Sequence, residues 1–252
     1  MIKSHQRAKV SQEKLIEEKA RQTLQRYWKQ EEARLGTKID PNGLPPINVA
    51  AIARKTLGLE VVEAWDIASG LNTSPTRANL VGWVDHSKKK IVVARELPPE
   101  LGRFTLAHEI GHFLLHANVV QFRDDPRTDL VIRDERKSPL ERQADLFAGF
   151  LTMPRKLVVH YFDRMFGSPI DGDDMTEDQA YVVLGENGIL SMIAKLSALD
   201  LAKLVAERTS LVFGQPRTLA EIFGVSSTAM GIQLLRLGLV KYQKVRLEGI
   251  RG

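Results

Sequence analysis

Residues 104–116 read FTLAHEIGHFLLH, and the two histidines at 108 and 112 stand four apart with Glu109 directly after the first. On a helix, residues i and i+4 project from one face a turn apart. His108 and His112 can therefore aim ring nitrogens at one cation, each about 2 Å from it. Glu109 is turned by roughly 100° around the helix, within reach of a water on that cation but outside its ligand set. A divalent ion brings the pKa of such a water towards ~7, and a neighbouring carboxylate takes its proton during attack on a peptide carbonyl. This is the H-E-x-x-H chemistry of zinc peptidases. The plainer reading is an amphipathic helix whose histidines are hydrogen-bonded inside a core. The apolar flanks favour the first reading by supplying a dry wall, and Gly111 leaves room between the histidines.

Two histidines leave a catalytic site one protein ligand short. The chain has no cysteine, so the third ligand must come from His, Asp or Glu. His116 keeps the four-residue spacing, but a straight helix carries it about 6 Å further along the axis. A better source is SPLERQADLFAGFLTMP at 138–154. There Glu141 and Asp145 are again i and i+4, among Leu140, Ala144, Phe147, Ala148 and Leu151, which would pack inward. Glu141 is the expected third ligand. Asp145 would accept a ring N–H from a liganding histidine and so fix its tautomer. Ser138-x-x-Glu141 is also a capping box, which would give Glu141 a purely structural task. A capping box does not account for Asp145, because an uncompensated carboxylate among apolar neighbours costs several kcal/mol.

The pair FTLAHEIGHFLLH and ERQADLFAGFLTMP resembles the ImmA/IrrE family of metallo-endopeptidases, a branch of the gluzincins. The resemblance covers about residues 45–155 and includes AAIARKTLGLEVVEA and KKIVVA, which occupy the family's usual places before the H-E-x-x-H helix. It implies His108, His112 and Glu141 as zinc ligands and Glu109 as the base. Family members often carry Asn where this chain has Asp145, which shifts it towards the E-x-x-x-D form of other gluzincins. The resemblance further implies cleavage of a regulatory protein, typically a helix-turn-helix repressor or antitoxin, in stress response or mobile-element control. His116, His160 and Tyr161 are the candidates for stabilising the oxyanion. A two-His, one-carboxylate set accepts manganese as well as zinc.

The elements that must position these residues follow from pattern. Ser11 to about Leu35 reads as a helix with Ile16, Ala20, Leu24 and Tyr27/Trp28 on one face, and TKIDPNGLPPIN as a linker. Asn48 caps VAAIARKTL, Gly58 closes it, and LEVVEA reads as a strand. ANLVGWV and KIVVA flank the turn DHSKKK as a hairpin. A helix follows over about Pro99–His116, then a charged loop over 118–137. Pro139 opens the next helix and Pro154 ends it. The acidic run DGDDMTED is out of register for a calcium loop and reads as a solvated turn.

TLAEIFGVSSTAMGIQLLRLGLV at 218–240 reads as two short helices about a glycine turn, a helix-turn-helix unit. Its outer face would offer Ser227, Thr228, Gln233 and Arg236, with Lys241, Lys244 and Arg246 after it. That is few for reading bases. The expected fold is therefore α+β: a zincin-like domain with a small antiparallel sheet packed on the H-E-x-x-H and Glu-ligand helices, then an all-α helix-turn-helix-like domain. The division is 1–40 helical extension, 41–165 metallopeptidase domain, 166–212 helical linker, and 213–252 helix-turn-helix-like domain with a basic tail.

Composition bounds the rest. Residues 1–40 carry ten Lys/Arg against six Asp/Glu, and 213–252 six against two. Basic ends leave DNA as a second partner. The alternative function is a DNA-binding regulator or toxin–antitoxin partner module whose metal site is structural or vestigial. No apolar run reaches the ~18–20 residues that span a bilayer, and MIKSHQRAKVSQEKL lacks a signal core. The expectation is a cytoplasmic protein without membrane contact.

Overall fold

The structure is a computed structural model, and it describes residues 2–40, 46–67, 80–116, 121–124, 138–185, 196–212 and 215–243. The chain forms two compact units, Met1–Pro154 and Arg155–Gly252.

In the first unit, α1 (Ile2–Leu35) begins well before Ser11, which lies within the helix and does not cap it. Ile16, Ala20 and Leu24 are buried along one stripe, and α1 packs against the Glu141 helix. Near its end, Glu31 pairs with Lys55 at 3.0 Å and Gln30 accepts from the Thr56 hydroxyl at 2.7 Å. Asn48 caps α2 (Val49–Ala51) by accepting from Ala51 N at 2.9 Å. This helix does not continue regularly. It widens into a π-helical turn over Ile52–Thr56.

Four strands follow: β1 (Glu60–Ala64), β2 (Leu80–Asp85), β3 (Lys90–Ala94) and β4 (Gln121–Asp124), in the order β1-β3-β2-β4. The β2–β3 hairpin is antiparallel, with Trp83 opposite Val92 and Val84 opposite Ile91. The expected all-antiparallel sheet is corrected, because β1 runs parallel to β3. β3 inserts between β1 and β2, antiparallel to β2 and parallel to β1. The expected loop over 118–137 is corrected at its start. β4 pairs with the outer edge of β2, whose backbone groups would otherwise lack partners.

A register shift separates Leu80 and Gly82 against β4. The extra residue resets the alternation of faces, so Leu80 and Trp83, three apart, pack in one cluster with Val92. α3 (Pro99–Leu115) lies on the opposite face of β2 and β3, and α4 (Pro139–Thr152) packs on α3. Pro99 opens α3 and Pro139 opens α4, each where its missing N–H costs nothing. Residues 105–112 of α3 are all buried, and Phe147, Ala148 and Leu151 of α4 are completely so. A fully buried Phe or Leu contributes about 1.5–3 kcal/mol, so the two helices are firmly seated.

The second unit contains α5 (Arg155–Phe166), β5 (Ile170–Asp171), α6 (Glu177–Leu184), α7 (Ala198–Glu207), β6 (Thr209–Val212), β7 (Gln215–Thr218), α8 (Leu219–Phe223), α9 (Ser227–Leu237) and β8 (Val240–Lys241). The all-α expectation for its C-terminal part is corrected. β6 and β7 form an antiparallel hairpin and β5 pairs with β8 in parallel. Thr218 and Glu221 cap α8 reciprocally, Gly224 turns at φ 55°, and Ser226 caps α9. α9 packs on α7. Gln233, expected on the outer face of α9, is fully buried and accepts from Arg236 at 2.8 Å. Ile232 is the large apolar side chain that α9 exposes. Lys244 and Arg246 lie outside the described residues.

Candidate metal centre

α3 and α4 cross where Gly111 meets Ala144. A Cβ on Gly111 would lie 3.1 Å from Ala144 Cα and 3.2 Å from its carbonyl oxygen. The glycine thus makes room for a neighbouring backbone, and not, as its position between two histidines implies, for the rings. This close approach lets one side chain of α4 reach two of α3.

His108 and His112 are almost wholly buried, and their Nε2 atoms lie 2.9 Å apart. Glu141 closes the group, with Oε2 3.1 Å from His108 Nε2 and Oε1 3.2 Å from His112 Nε2. Ser138 accepts from Glu141 N at 3.2 Å, so the helix start is capped while the Glu141 carboxylate faces the rings. One ligand atom from each of the three residues fits within 4.8 Å, and the group could hold a metal ion. Four-coordinate zinc with bonds of about 2.0–2.1 Å separates its ligand atoms by about 3.3 Å. The three contacts above need to open by only a few tenths of an ångström. The donor set fits the ion.

Around this core, Asp145 Oδ1 lies 2.8 Å from His108 Nδ1. A carboxylate only accepts here, so Nδ1 donates to Asp145, which would leave Nε2 its lone pair for a bound cation. His116 is where α3 ends; with φ −126° and ψ 73° it leaves the helix. Its ring returns to His112, Nδ1 to Nδ1 at 3.0 Å, and its Nε2 lies 3.0 Å from Gln143 Oε1. Gln143 has no signal in the sequence, since nothing local connects it to a histidine 27 residues away.

Glu109 is completely buried and faces β2 at Gly82. A Cβ on Gly82 would come 2.9 Å from Glu109 Oε1 and 2.7 Å from Thr105 Cγ2. The absent Cβ is what lets the Thr105 methyl and the Glu109 carboxylate approach the strand so closely. Burial, the largest influence on His112, pushes its pKa down to about 4, against the pull of Glu141. Burial pushes Glu141 upward, but the His108 and His112 rings that face it outweigh burial and hold the carboxyl below its ordinary range. Near neutral pH, His112 is thus uncharged and Glu141 ionised, as cation binding requires.

Residues 71–167 match the IrrE N-terminal-like domain, Peptidase_M78. The matched span contains His108, Glu109, His112, Glu141 and Asp145 together. No match to a curated protein accompanies it. A metallopeptidase-family domain thus coincides with the buried His, His, Glu group, and the family's chemistry implies a protein substrate. Among the described residues, no helix is long and apolar enough to cross a membrane.

Of the three oxyanion candidates, His116 is engaged by His112 and Gln143. Tyr161 is buried in the second unit, edge-on to Phe223 with ring centroids 5.8 Å apart, and His160 packs against Tyr161.

Proposed function

We propose that the chain is a zinc-dependent endopeptidase, with His108, His112 and Glu141 as ligands, Glu109 as general base and Asp145 as the orienter of His108. The observation that carries this is the meeting of two Nε2 atoms and one carboxylate at 2.9–3.2 Å, with Glu109 buried next to His108. Zinc bound there would polarise the scissile carbonyl and lower the pKa of an attacking water towards ~7. Glu109 would accept a proton from the attacking water and return it to the leaving amine. His108, Glu109 and His112 are themselves almost wholly buried, and exclusion of solvent strengthens each charge interaction among them.

The substrate we favour is a regulatory protein, a helix-turn-helix repressor or an antitoxin, which makes this a cytoplasmic enzyme of stress response or mobile-element control. That choice is supported by the likeness of 104–116 and 141–154 to the ImmA/IrrE pattern. Two helices about the Gly224 turn, α8 and α9, support reading 218–240 as a helix-turn-helix-like unit. With Gln233 inside and Ile232 outside, we assign that unit a packing or substrate-docking role in preference to base reading.

Glu109→Gln tests the proposal, because it removes the base and leaves the ligands. The variant is expected to keep one zinc per chain by mass spectrometry. When N-termini are profiled in lysate of the source cells, the new termini produced by the parent chain should be missing. A parent chain that takes up no zinc, or a Glu109→Gln variant that generates the same termini at the same rate, would overturn it.

A further inference from the structure

His112 faces the centre with Nε2, and its other ring nitrogen is committed to a chain of two more residues, the buried His116 and the half-buried Gln143. His112 Nδ1 lies 3.0 Å from His116 Nδ1, and His116 Nε2 lies 3.0 Å from Gln143 Oε1. His112 is completely buried and His116 is 7% exposed. The proton positions along this chain follow from its far end. A carboxamide oxygen accepts and cannot donate, so His116 Nε2 must carry a proton. In a neutral imidazole the second nitrogen is then an acceptor. His116 Nδ1 therefore receives its proton from His112 Nδ1, and His112 is left with its lone pair on Nε2. That nitrogen is the one 3.2 Å from Glu141 Oε1 and 2.9 Å from His108 Nε2.

We propose that Gln143 and His116 are positioning residues that lock His112 in the Nδ1–H tautomer and so present its Nε2 lone pair to a cation. Their purpose rests on the metal reading above, although their hydrogen-bond polarity does not. His108 reaches the same state in one step, through the Asp145 carboxylate at 2.8 Å. His112 reaches it in two, because α3 stops at Leu115 and the turn at His116 folds a ring back over it.

The orientation of the Gln143 amide decides the outcome. Were its NH2 group to face His116, every donor along the chain would reverse. His112 would then aim an N–H at the centre and repel a cation. One helix thus supplies three parts from alternate positions: Glu141 to the ion, Gln143 to the His112 chain and Asp145 to His108. Outer partners of this kind are worth roughly 10–100-fold in metal affinity.

The full chain tests this in two ways. Long-range 15N–1H spectra of the metal-free protein at pH 8 report each ring's tautomer. His112 is expected protonated at Nδ1 and His116 at Nε2; the opposite assignment at either ring overturns the inference. Zinc affinity, measured by competition with a chelator, is expected to fall roughly 10–100-fold in Gln143→Leu and in His116→Phe. Gln143→Glu keeps an acceptor oxygen and is expected to recover most of that loss, which a merely space-filling role would not produce. Equal affinity in Gln143→Leu and the parent would sink the proposal while leaving the peptidase reading intact. A parent chain that binds no zinc would remove the peptidase reading, and the tautomers would still decide this one.

Discussion

Asp145 meets His108 Nδ1 at 2.8 Å while its side chain stays partly open to solvent. What it does for the centre is accept one proton from one ring nitrogen, and that task does not need a charge. Asn at this position offers the same carbonyl-type oxygen, whereas Leu offers none. Asp145→Asn is therefore expected to bind zinc within about tenfold of the parent, and Asp145→Leu to lose roughly 10–100-fold. Competition titration against a chelator separates the two. Equal affinity for the Leu variant and the parent would show that His108 holds its tautomer by other means. The same reasoning explains why this part of the centre was visible in the chain before any fold. A carboxylate one turn beyond Glu141, set among apolar residues, asks for a partner, and a histidine ring is a suitable one. Gln143 makes no such demand, since an amide is at home on any half-exposed helix.

Between elements, two glycines set distances that no polar residue reveals. Gly111 brings α4 against α3, with Ala144 backbone atoms 3.1–3.2 Å from where a Cβ would stand. Backbone cannot swing aside as a side chain can. Gly111→Ala should therefore move the helices apart by a few tenths of an ångström, cost about 1–3 kcal/mol of stability and weaken zinc binding, because Glu141 retreats with α4. Gly82 works differently. Its missing Cβ leaves space for Thr105 Cγ2 and for Glu109 Oε1, the mobile end of a side chain, so Gly82→Ala is expected to displace the proposed base and spare the proposed ligands. The expected result is zinc affinity within a few-fold of the parent and turnover lower by about 10²-fold, the usual consequence of a 1 Å misplacement. Parental turnover in Gly82→Ala would show that Glu109 tolerates the shift. The helices that carry His108, His112 and Glu141 were legible because i, i+4 spacing and proline starts are local properties, and so was the β2–β3 hairpin. The parallel seat of β1 was not, because it depends on where the segment after it lands. Nor was β4, whose QFRD lacks an apolar pattern and pairs only because β2 presents an open edge. Ser11 misled for a related reason: a good capping residue is only an option, and the chain before it is helical.

At the scale of the molecule, both proposed zinc-bearing helices belong to Met1–Pro154, so metal removal should act on the stability of that unit. A ligand held at a thousand times its dissociation constant stabilises the state that binds it by about 4 kcal/mol. For a unit of this size that is about 8–16 °C in melting temperature. Stripping the metal with a chelator should lower the unit's transition by that order, and restoring zinc should reverse it. Acid deepens the loss in the metal-free protein. His112 has its pKa pushed from 6.5 to about 4 by burial, so the unfolded chain takes up a proton that the folded one refuses as pH falls from 6.5 towards 4. Stability conferred by the neutral ring is complete above 6.5 and declines through that window. Glu141, held below its ordinary value by His108 and His112 against the effect of burial, adds a loss of the same sign below about 4.5. The metal-free chain should therefore show a urea midpoint that drops steadily between pH 7 and 4. His112→Gln, which cannot take up that proton, should flatten the upper part of the drop, from 6.5 to about 4.5. An unchanged slope in the variant would mean that the acid sensitivity arises elsewhere in the fold, and that the buried imidazole is already protonated where this account requires it neutral.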